Sequence, residues 1–229
     1  MSKNLILGYG RLGKELVAQT QWHYITRSID GFDFCNINSY SYFLDNYDTI
    51  INCVANTNTY SNQKEDHLNV NFKAVCDLVD YCNSKNKKLV QISTDYVYAG
   101  SVNKASEDDI PVHARTWYTY SKLLADGYIQ ARAKNYLIVR TSFKSNPWPY
   151  AKAPGRVGNF DYTSIIAQLI IKLINKNACG VFNLGTAPKK LYDLAKQTNP
   201  DVILDTNTDP NMPQNVIMNL SKMKEFLNE

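Results

Sequence analysis

The chain has 229 residues, of which 44% are hydrophobic and 20% charged, and its formal net charge is +4. These proportions exclude an intrinsically disordered chain, because disorder goes with low hydrophobicity and high net charge. The basic residues are scattered and no apolar run is long enough for a membrane span, so we expect neither nucleic acid nor a membrane as a partner. The five cysteines form no C-x-x-C pair and the N-terminus lacks a signal-peptide core, so we expect reduced thiols and a cytoplasmic location.

Short apolar runs alternate along the chain with longer segments of helical periodicity. This alternation predicts an α/β fold in which helices cover both faces of a doubly wound parallel sheet. The predicted strands are residues 4–7, 23–26, 49–54, 89–93, 136–140 and 180–185. The predicted helices are residues 12–19, 68–82, 117–133, 162–174 and 191–197, with a polar terminal element at 218–227. Residues 143–158 show neither helical nor strand periodicity, so we predict a loop there that lies over a ligand.

A glycine-rich turn follows the first predicted strand. Gly8, Gly10 and Gly13 form a G-x-G-x-x-G pattern that closes this strand and opens a helix. Glycines at such a turn let the backbone approach a pyrophosphate, and the helix N-terminus offers free N–H groups to its oxygens. The pattern therefore predicts a dinucleotide-binding loop that includes the three glycines and the residues between the last two, Arg11 and Leu12.

The end of the second predicted strand indicates which dinucleotide binds. An NAD site usually has an acidic residue about 20 residues beyond the glycines, which binds the ribose hydroxyl, whereas an arginine suits the extra phosphate of NADP. This strand ends in Thr26 and Arg27, and the first carboxylate after it is Asp30. The sequence therefore predicts NADP(H) as the cofactor, with Arg27 on the phosphate. The alternative is that Arg27 is an ordinary solvated charge.

Thr94, Tyr118 and Lys122 are the candidate catalytic residues. Thr94 follows a buried strand and is expected at the carboxyl edge of the sheet, where ligands bind in open α/β folds. Tyr118 and Lys122 are four residues apart at the start of a helix and share one face of it. An ammonium beside a phenol favours the ionised phenol, so we expect Lys122 to lower the pKa of Tyr118. Tyr120 has no lysine four residues later, which makes Tyr118 the predicted proton donor.

Together these motifs resemble the extended short-chain dehydrogenase/reductases, and within them the dTDP-4-dehydrorhamnose reductase family. The resemblance covers nearly the whole chain and also rests on S-T-D-Y-V-Y at residues 93–98 and R-T-S at residues 140–142. It implies a Rossmann-type sheet, with an NADP-binding core at residues 1–142 and a small substrate-binding region at 143–229 that is interleaved with the last strands and helices of the core. It also implies further cofactor contacts. Asp33 and Phe34 correspond to a turn on the adenine side, and Cys53, Val54 and Ala55 to the end of a strand beside the cofactor.

The same resemblance assigns a role to each candidate catalytic residue. It implies that Thr94 hydrogen-bonds the substrate carbonyl, that Tyr118 donates the proton, and that Lys122 tunes Tyr118 and binds the nicotinamide ribose. The implied reaction is NADPH-dependent reduction of the 4-keto group of a nucleoside-diphospho-4-keto-6-deoxysugar. The sequence leaves open whether the enzyme is a homodimer. Two alternatives stay open, namely an NAD-dependent nucleotide-sugar epimerase or dehydratase and a non-catalytic NADP-binding regulatory subunit. The segment after Arg140 is shorter than in the family, which leaves the exact substrate open.

Other polar residues have predicted structural roles. The three histidines have neither metal-ligand spacing nor a nucleophile partner, so no metal site is predicted. Asp95 is assigned to the turn after its strand, and Asn69 to a hydrogen bond between its helix and neighbouring backbone. In the irregular segment, Trp148, Tyr150 and Arg156 either stack on a base and pair with a diphosphate or belong to an ordinary packed loop.

Overall fold

The computed structural model describes residues 3–101, 103–207, 209 and 211–228. The strands up to the end of the fifth are β1 (Asn4–Leu7), β2 (His23–Ile25), β3 (Thr49–Asn52), β4 (Lys88–Thr94) and β5 (Tyr136–Thr141). The later strands are β6 (Phe143–Lys144), β7 (Lys152–Pro154), β8 (Val157–Gly158), β9 (Asp161–Tyr162), β10 (Gly180–Asn183), β11 (Lys189–Lys190), β12 (Ile203–Asp205) and β13 (Asn215–Val216). Within the described residues, six of these strands form a parallel central sheet in the order β10-β5-β4-β3-β1-β2.

Among the described residues, seven helices lie between successive strands of the central sheet and connect them as crossovers, and two more follow β10. They are α1 (Arg11–Thr20), α2 (Arg27–Asp30), α3 (Ser41–Leu44), α4 (Lys64–Leu68), α5 (Ala74–Ser84), α6 (Trp117–Arg132), α7 (Thr163–Asn175), α8 (Leu191–Lys196) and α9 (Ser221–Leu227). A single π-helical turn (Asn69–Lys73) joins α4 to α5, and a short 3₁₀ turn (Asp95–Tyr98) follows β4. No helix among the described residues has the length and apolar character needed to cross a bilayer.

Both faces of the central sheet are covered by apolar side chains. Ile6 and Ile51 point into one core, which they share with residues of α1, α7 and α9. Leu5 and Ile50, the preceding residues of the same strands, point into the other core with residues of α5 and α6. Successive residues of a strand face opposite sides, and a strand covered on both sides is apolar at every position. This explains why β1 and β3 appear in the sequence as continuous apolar runs rather than alternating ones.

A third, smaller apolar cluster lies beyond the sheet in the C-terminal part of the chain. It contains Trp148, Phe160 and Tyr162 together with residues of α8. Short strand pairs surround it: β6 pairs with β9, β7 with β12, and β8 with both β11 and β13. This part is therefore a compact unit built from segments that are distant in sequence.

The predicted α/β architecture with its six sheet strands is confirmed. The prediction of a loop at residues 143–158 is wrong in part, because residues 143–144, 152–154 and 157–158 form β6, β7 and β8. Strands of two or three residues show no detectable periodicity, and their partners follow much later in the chain. The helix predicted at residues 68–82 is interrupted by the π-helical turn, which places one extra residue in the helix and rotates everything before it relative to α5.

Candidate functional site

The glycine-rich turn between β1 and α1 has the geometry that requires glycine. Gly8 has a φ of +91°, and its N–H donates to the carbonyl of Ile25 at 3.0 Å. A Cβ on Gly13 would lie 2.1 Å from the carbonyl oxygen of Gly8, so α1 could not pack this closely against the turn with any other residue. Gly10 caps α1 without a side-chain hydrogen bond, and a Cβ there would meet open space. The N–H groups of the first turn of α1 are therefore available to a ligand.

One cavity of about 570 Å³ joins this turn to the carboxyl ends of β3, β4 and β5. This volume is in the range of small-molecule and cofactor sites. The cavity brings together nine of the residues predicted from the sequence, which are Gly10, Arg11, Leu12, Cys53, Val54, Ala55, Thr94, Tyr118 and Lys122. Gly8 and Gly13 shape the turn behind it rather than lining it.

Tyr118 lies in the first turn of α6, whose N-terminus is capped by the side chain of Thr116. Its ring is in edge contact with the rings of Tyr96 and of the fully buried His67, each with a centroid distance of 6.4 Å. Burial raises the pKa of the Tyr118 phenol, and a hydrogen bond with Thr94 acts in the opposite direction. The phenol is thus fully protonated at neutral pH and lies in contact with Thr94.

The Lys122 ammonium is held at the end of β4. It is 2% exposed, and its Nζ donates to the carbonyl oxygen of Ile92 at 2.6 Å. Burial lowers the pKa of Lys122 to about 8, with Asp126 and Cys53 opposing this shift. The expectation that Lys122 lowers the pKa of Tyr118 is wrong for this structure, because desolvation of the phenol outweighs other effects and the ammonium is directed to a backbone carbonyl.

A buried ion pair fixes the strands and the helix that carry these residues. The guanidinium of Arg140 on β5 donates through Nε to Asp126 Oδ2 of α6 at 3.0 Å, and both side chains are almost completely buried. The same carboxylate oxygen accepts a hydrogen bond of 2.9 Å from Ser93 on β4, and Arg140 also donates to the hydroxyl of Tyr98. The arginine of the R-T-S motif therefore ties β4, β5 and α6 together and does not reach into the cavity.

Asn71 is a buried site residue that sequence reasoning missed. Its amide nitrogen donates to Ser121 Oγ and to the carbonyl of Asn56, both at 3.0 Å, and its amide oxygen accepts from the N–H of Asn56 at 2.8 Å. It thereby links the loop after β3 to the residue before Lys122. The sequence predicts such a role for Asn69, but the Asn69 side chain accepts a hydrogen bond from Lys73 instead. The π-helical turn decides which asparagine points inward, and no feature of the sequence marks that turn.

Asp95 and Lys144 were also not predicted as site residues, yet both line the cavity. Asp95 is 1% exposed and accepts a hydrogen bond from the Thr94 hydroxyl at 3.3 Å. Burial raises the pKa of Asp95 to about 6, with Lys144 and Arg156 opposing. Lys144 comes from β6, immediately beyond β5, and its Nζ donates to Ser142 Oγ at 2.6 Å. A lysine in an irregular segment carries no sequence pattern that marks it as a site residue.

The residues of the irregular segment divide into two groups. Trp148 is buried in the third apolar cluster and donates its indole N–H to the carbonyl of Lys152, so it is not free to stack on a ligand. Tyr150 is 58% exposed and lines the cavity. The Arg156 guanidinium donates to the hydroxyl of Tyr96, which lines the cavity as well.

Besides Gly8 and Gly13, three predicted cofactor residues lie outside the lining of this cavity. Arg27 is exposed and is the first residue of α2. It follows Ile25 by two residues, and the Ile25 carbonyl accepts a hydrogen bond from the N–H of Gly8 in the glycine-rich turn. The Asp33 carboxylate accepts the N–H of Cys35, and Phe34 is buried in the core against Phe32 and Tyr40. The adenine-side contacts of Asp33 and Phe34 stay a prediction, although the Phe34 ring itself serves the core.

Comparison with known proteins gives a consistent set of relatives. A family model described as the RmlD substrate binding domain matches residues 3–160. The dTDP-4-dehydrorhamnose reductase of Bacillus anthracis str. Ames, solved in complex with NADP, superposes with a TM-score of 0.83 at 19% identity, covering 99% of this chain and 96% of that chain. An ortholog from Clostridium acetobutylicum gives a TM-score of 0.81 at 23% identity, with 97% and 91% covered.

Two further matches come from other enzymes. The Bordetella bronchiseptica enzyme WbmG, solved in complex with NAD, superposes with a TM-score of 0.79 at 11% identity, covering 99% of this chain and 88% of that chain. Among curated proteins, the dTDP-D-glucose 4,6-dehydratase of Homo sapiens is 23% identical over 54% of this chain. That match spans 45% of the human protein, so the chain covers less than half the length of this curated relative.

Proposed function

The chain belongs to the family described by the RmlD substrate binding domain, and from this membership and its site we propose that it is an NADPH-dependent reductase of the dTDP-4-dehydrorhamnose reductase type. Its proposed substrate is a nucleoside-diphospho-4-keto-6-deoxysugar, which it reduces at the 4-keto group. The observation that carries this proposal is the single cavity in which the glycine-rich turn meets Thr94, Tyr118 and Lys122.

The turn and the cavity fit a dinucleotide. The uncapped N-terminus of α1 and the open space at Gly10 suit an anionic pyrophosphate, because free N–H groups and the helix dipole favour negative charge there. From this turn the cavity continues to Tyr118 and Lys122. Gly10, Arg11 and Leu12 would thus hold the pyrophosphate of NADPH. The remainder of the cofactor would lie along Cys53, Val54, Ala55 and Lys122. When bound, NADPH supplies the hydride.

The proposed chemistry follows from the state of each side chain. Thr94, whose hydroxyl donates to Asp95 in the structure, would turn this hydrogen bond to the carbonyl oxygen and so orient the ketone. Tyr118 retains its proton at neutral pH because burial raises its pKa, and it releases that proton when negative charge develops on the carbonyl oxygen. Lys122, with a pKa of about 8, is largely an ammonium at pH 7 and would bind the ribose hydroxyls. The compact C-terminal unit would form the substrate-binding region, since Lys144 and Tyr150 of residues 143–229 line the cavity.

NADPH oxidation in the presence of a panel of nucleoside-diphospho-4-keto-6-deoxysugars tests this function. We expect turnover with at least one member of the panel, and none with the corresponding 4-hydroxy sugars. Absence of turnover with every keto sugar, by a protein that binds NADPH, would leave a non-catalytic NADP-binding subunit as the better account.

Dehydration of a nucleotide sugar with NAD is a second candidate, favoured by Asp95. This buried carboxyl lies beside Thr94 with a pKa raised to about 6, so part of it is protonated near neutral pH and could act as a general acid. The similarity to the human dehydratase is in accord with this chemistry. Formation of a keto sugar from dTDP-D-glucose without net consumption of NADPH would favour this candidate over the reductase.

Arg27→Ala tests the choice between NADPH and NADH. We expect the Kd for NADPH to rise roughly tenfold, because a charge-assisted contact to the extra phosphate is lost. The Kd for NADH should not change, since NADH carries no phosphate at that position. Both constants can be measured by fluorescence titration, with the exposed Arg132→Ala on α6 as a matched control. Equal weakening for the two cofactors would show that Arg27 does not bind the phosphate.

A further inference from the structure

Four charged side chains surround one part of the cavity. Arg11, Asp95 and Lys144 line it, and Arg156 adjoins it through Tyr96. These groups influence one another, since Lys144 interacts electrostatically with Arg156, Asp95 and Arg11. They come from four separate segments, namely the start of α1, the turn after β4, strand β6 and the loop between β7 and β8. Three cations thus face one carboxylate, which leaves two positive charges in excess.

The contacts of the two cations from the C-terminal unit leave them free for a ligand. The Lys144 Nζ is bound to the neutral Ser142 hydroxyl and lies 5.2 Å from the centroid of the Phe160 ring. The Arg156 guanidinium contacts the Tyr96 hydroxyl and lies 5.5 Å from the centroid of the Tyr96 ring. Within the described part of the chain, no carboxylate forms an ion pair with either cation.

We propose that Lys144 and Arg156 bind the diphosphate group of a ligand in this cavity. The proposal rests on the proposed function, because both NADPH and a nucleotide sugar carry a diphosphate. Two excess positive charges match the two negative charges of that group, and cations in a partly desolvated site bind phosphate oxygens by strong charge-assisted hydrogen bonds. Lys144 and Arg156 would therefore contribute affinity for a diphosphate ligand in this cavity.

The electrostatics of Lys144 give the direction of the proton linkage. Burial, followed by repulsion from Arg156, lowers the pKa of Lys144 to about 7, so a part of this group is neutral at pH 7 to 8. A diphosphate beside it would raise that pKa again, so the complex holds more protons than the free protein. Binding therefore takes up a proton in this window, and affinity falls as the pH rises through it. Asp161 on the paired strand β9 is engaged with Lys189 and does not neutralise Lys144.

Isothermal titration calorimetry of the full chain at pH 8 tests the proposal, with NADPH and UDP as separate ligands. Each titration is run in two buffers of different ionisation enthalpy, which yields the number of protons taken up. For Lys144→Met we expect a roughly tenfold higher Kd for the ligand whose diphosphate binds here, with the proton uptake lost. Lys144→Arg should restore the affinity but not the proton uptake, because a guanidinium is always charged. Lys152→Met, at an exposed position of β7, serves as the matched control.

The two ligands distinguish the two sources of the diphosphate. A loss confined to NADPH assigns the pair to the cofactor, and a loss confined to UDP assigns it to the nucleotide of the substrate; each result supports the proposal. Unchanged affinity and unchanged proton uptake for both ligands in a folded Lys144→Met protein would overturn it while the reductase function stands. Failure of the unaltered protein to bind either ligand would overturn both.

Discussion

Tyr118→Phe is expected to lower turnover by about 10² to 10⁴-fold while leaving NADPH affinity nearly unchanged. The substitution removes the hydroxyl that contacts Thr94 and that would protonate the carbonyl oxygen. The ring remains, so its edge contacts with Tyr96 and His67 are kept and the cavity keeps its shape. Steady-state NADPH oxidation with a keto-sugar substrate gives the turnover, and fluorescence titration gives the affinity.

Tyr120→Phe is the matched control for this experiment. Tyr120 lies two residues later on α6 and is 38% exposed, so loss of its hydroxyl should leave turnover within about twofold of the unaltered enzyme. Near-normal turnover of the Tyr118 variant, or an equal loss in both variants, would remove Tyr118 from the role of proton donor.

Asp126→Ala is expected to lower the free energy of unfolding by about 3 to 5 kcal/mol, because it leaves the buried Arg140 guanidinium without its counter-charge. The variant also loses the hydrogen bond from Ser93. Unfolding in urea, followed by circular dichroism, measures the change.

Asp80→Ala provides the comparison, since Asp80 is an exposed carboxylate that accepts a hydrogen bond from Tyr128. Its loss should cost about 1 kcal/mol or less. Similar destabilisation by the two substitutions would mean that the Arg140 pair contributes no more to the fold than a surface contact does.

The central sheet and much of the cavity could be predicted from the sequence because their signals are local. A strand buried on both faces is a continuous apolar run, as in β1 and β3. The bounds of such a run therefore predict the bounds of the strand. The glycines at 8, 10 and 13 are required by steric contacts within one turn, so their spacing is visible in the chain itself. Tyr118 and Lys122 share a helix face by their spacing alone.

The C-terminal unit could not be predicted in the same way. Its strands are two or three residues long and pair with partners far along the chain, as β7 does with β12. Neither their length nor their pairing leaves a periodic pattern, so the sequence predicts a loop from Phe143 to Gly158. Lys144 could be recognised as part of the site only after β6 had been paired with β9.

The sequence by itself determined the fold class, the dinucleotide-binding turn and the identity of the catalytic candidates, since each depends on residues that are neighbours along the chain. Tertiary structure alone decided that Asn71 rather than Asn69 links the β3 loop to α6, because the π-helical turn sets the helix phase. It also decided that the pKa of Tyr118 is raised and that of Lys122 lowered. Desolvation depends on every atom that packs around a charged group, and those atoms come from segments that only folding brings together.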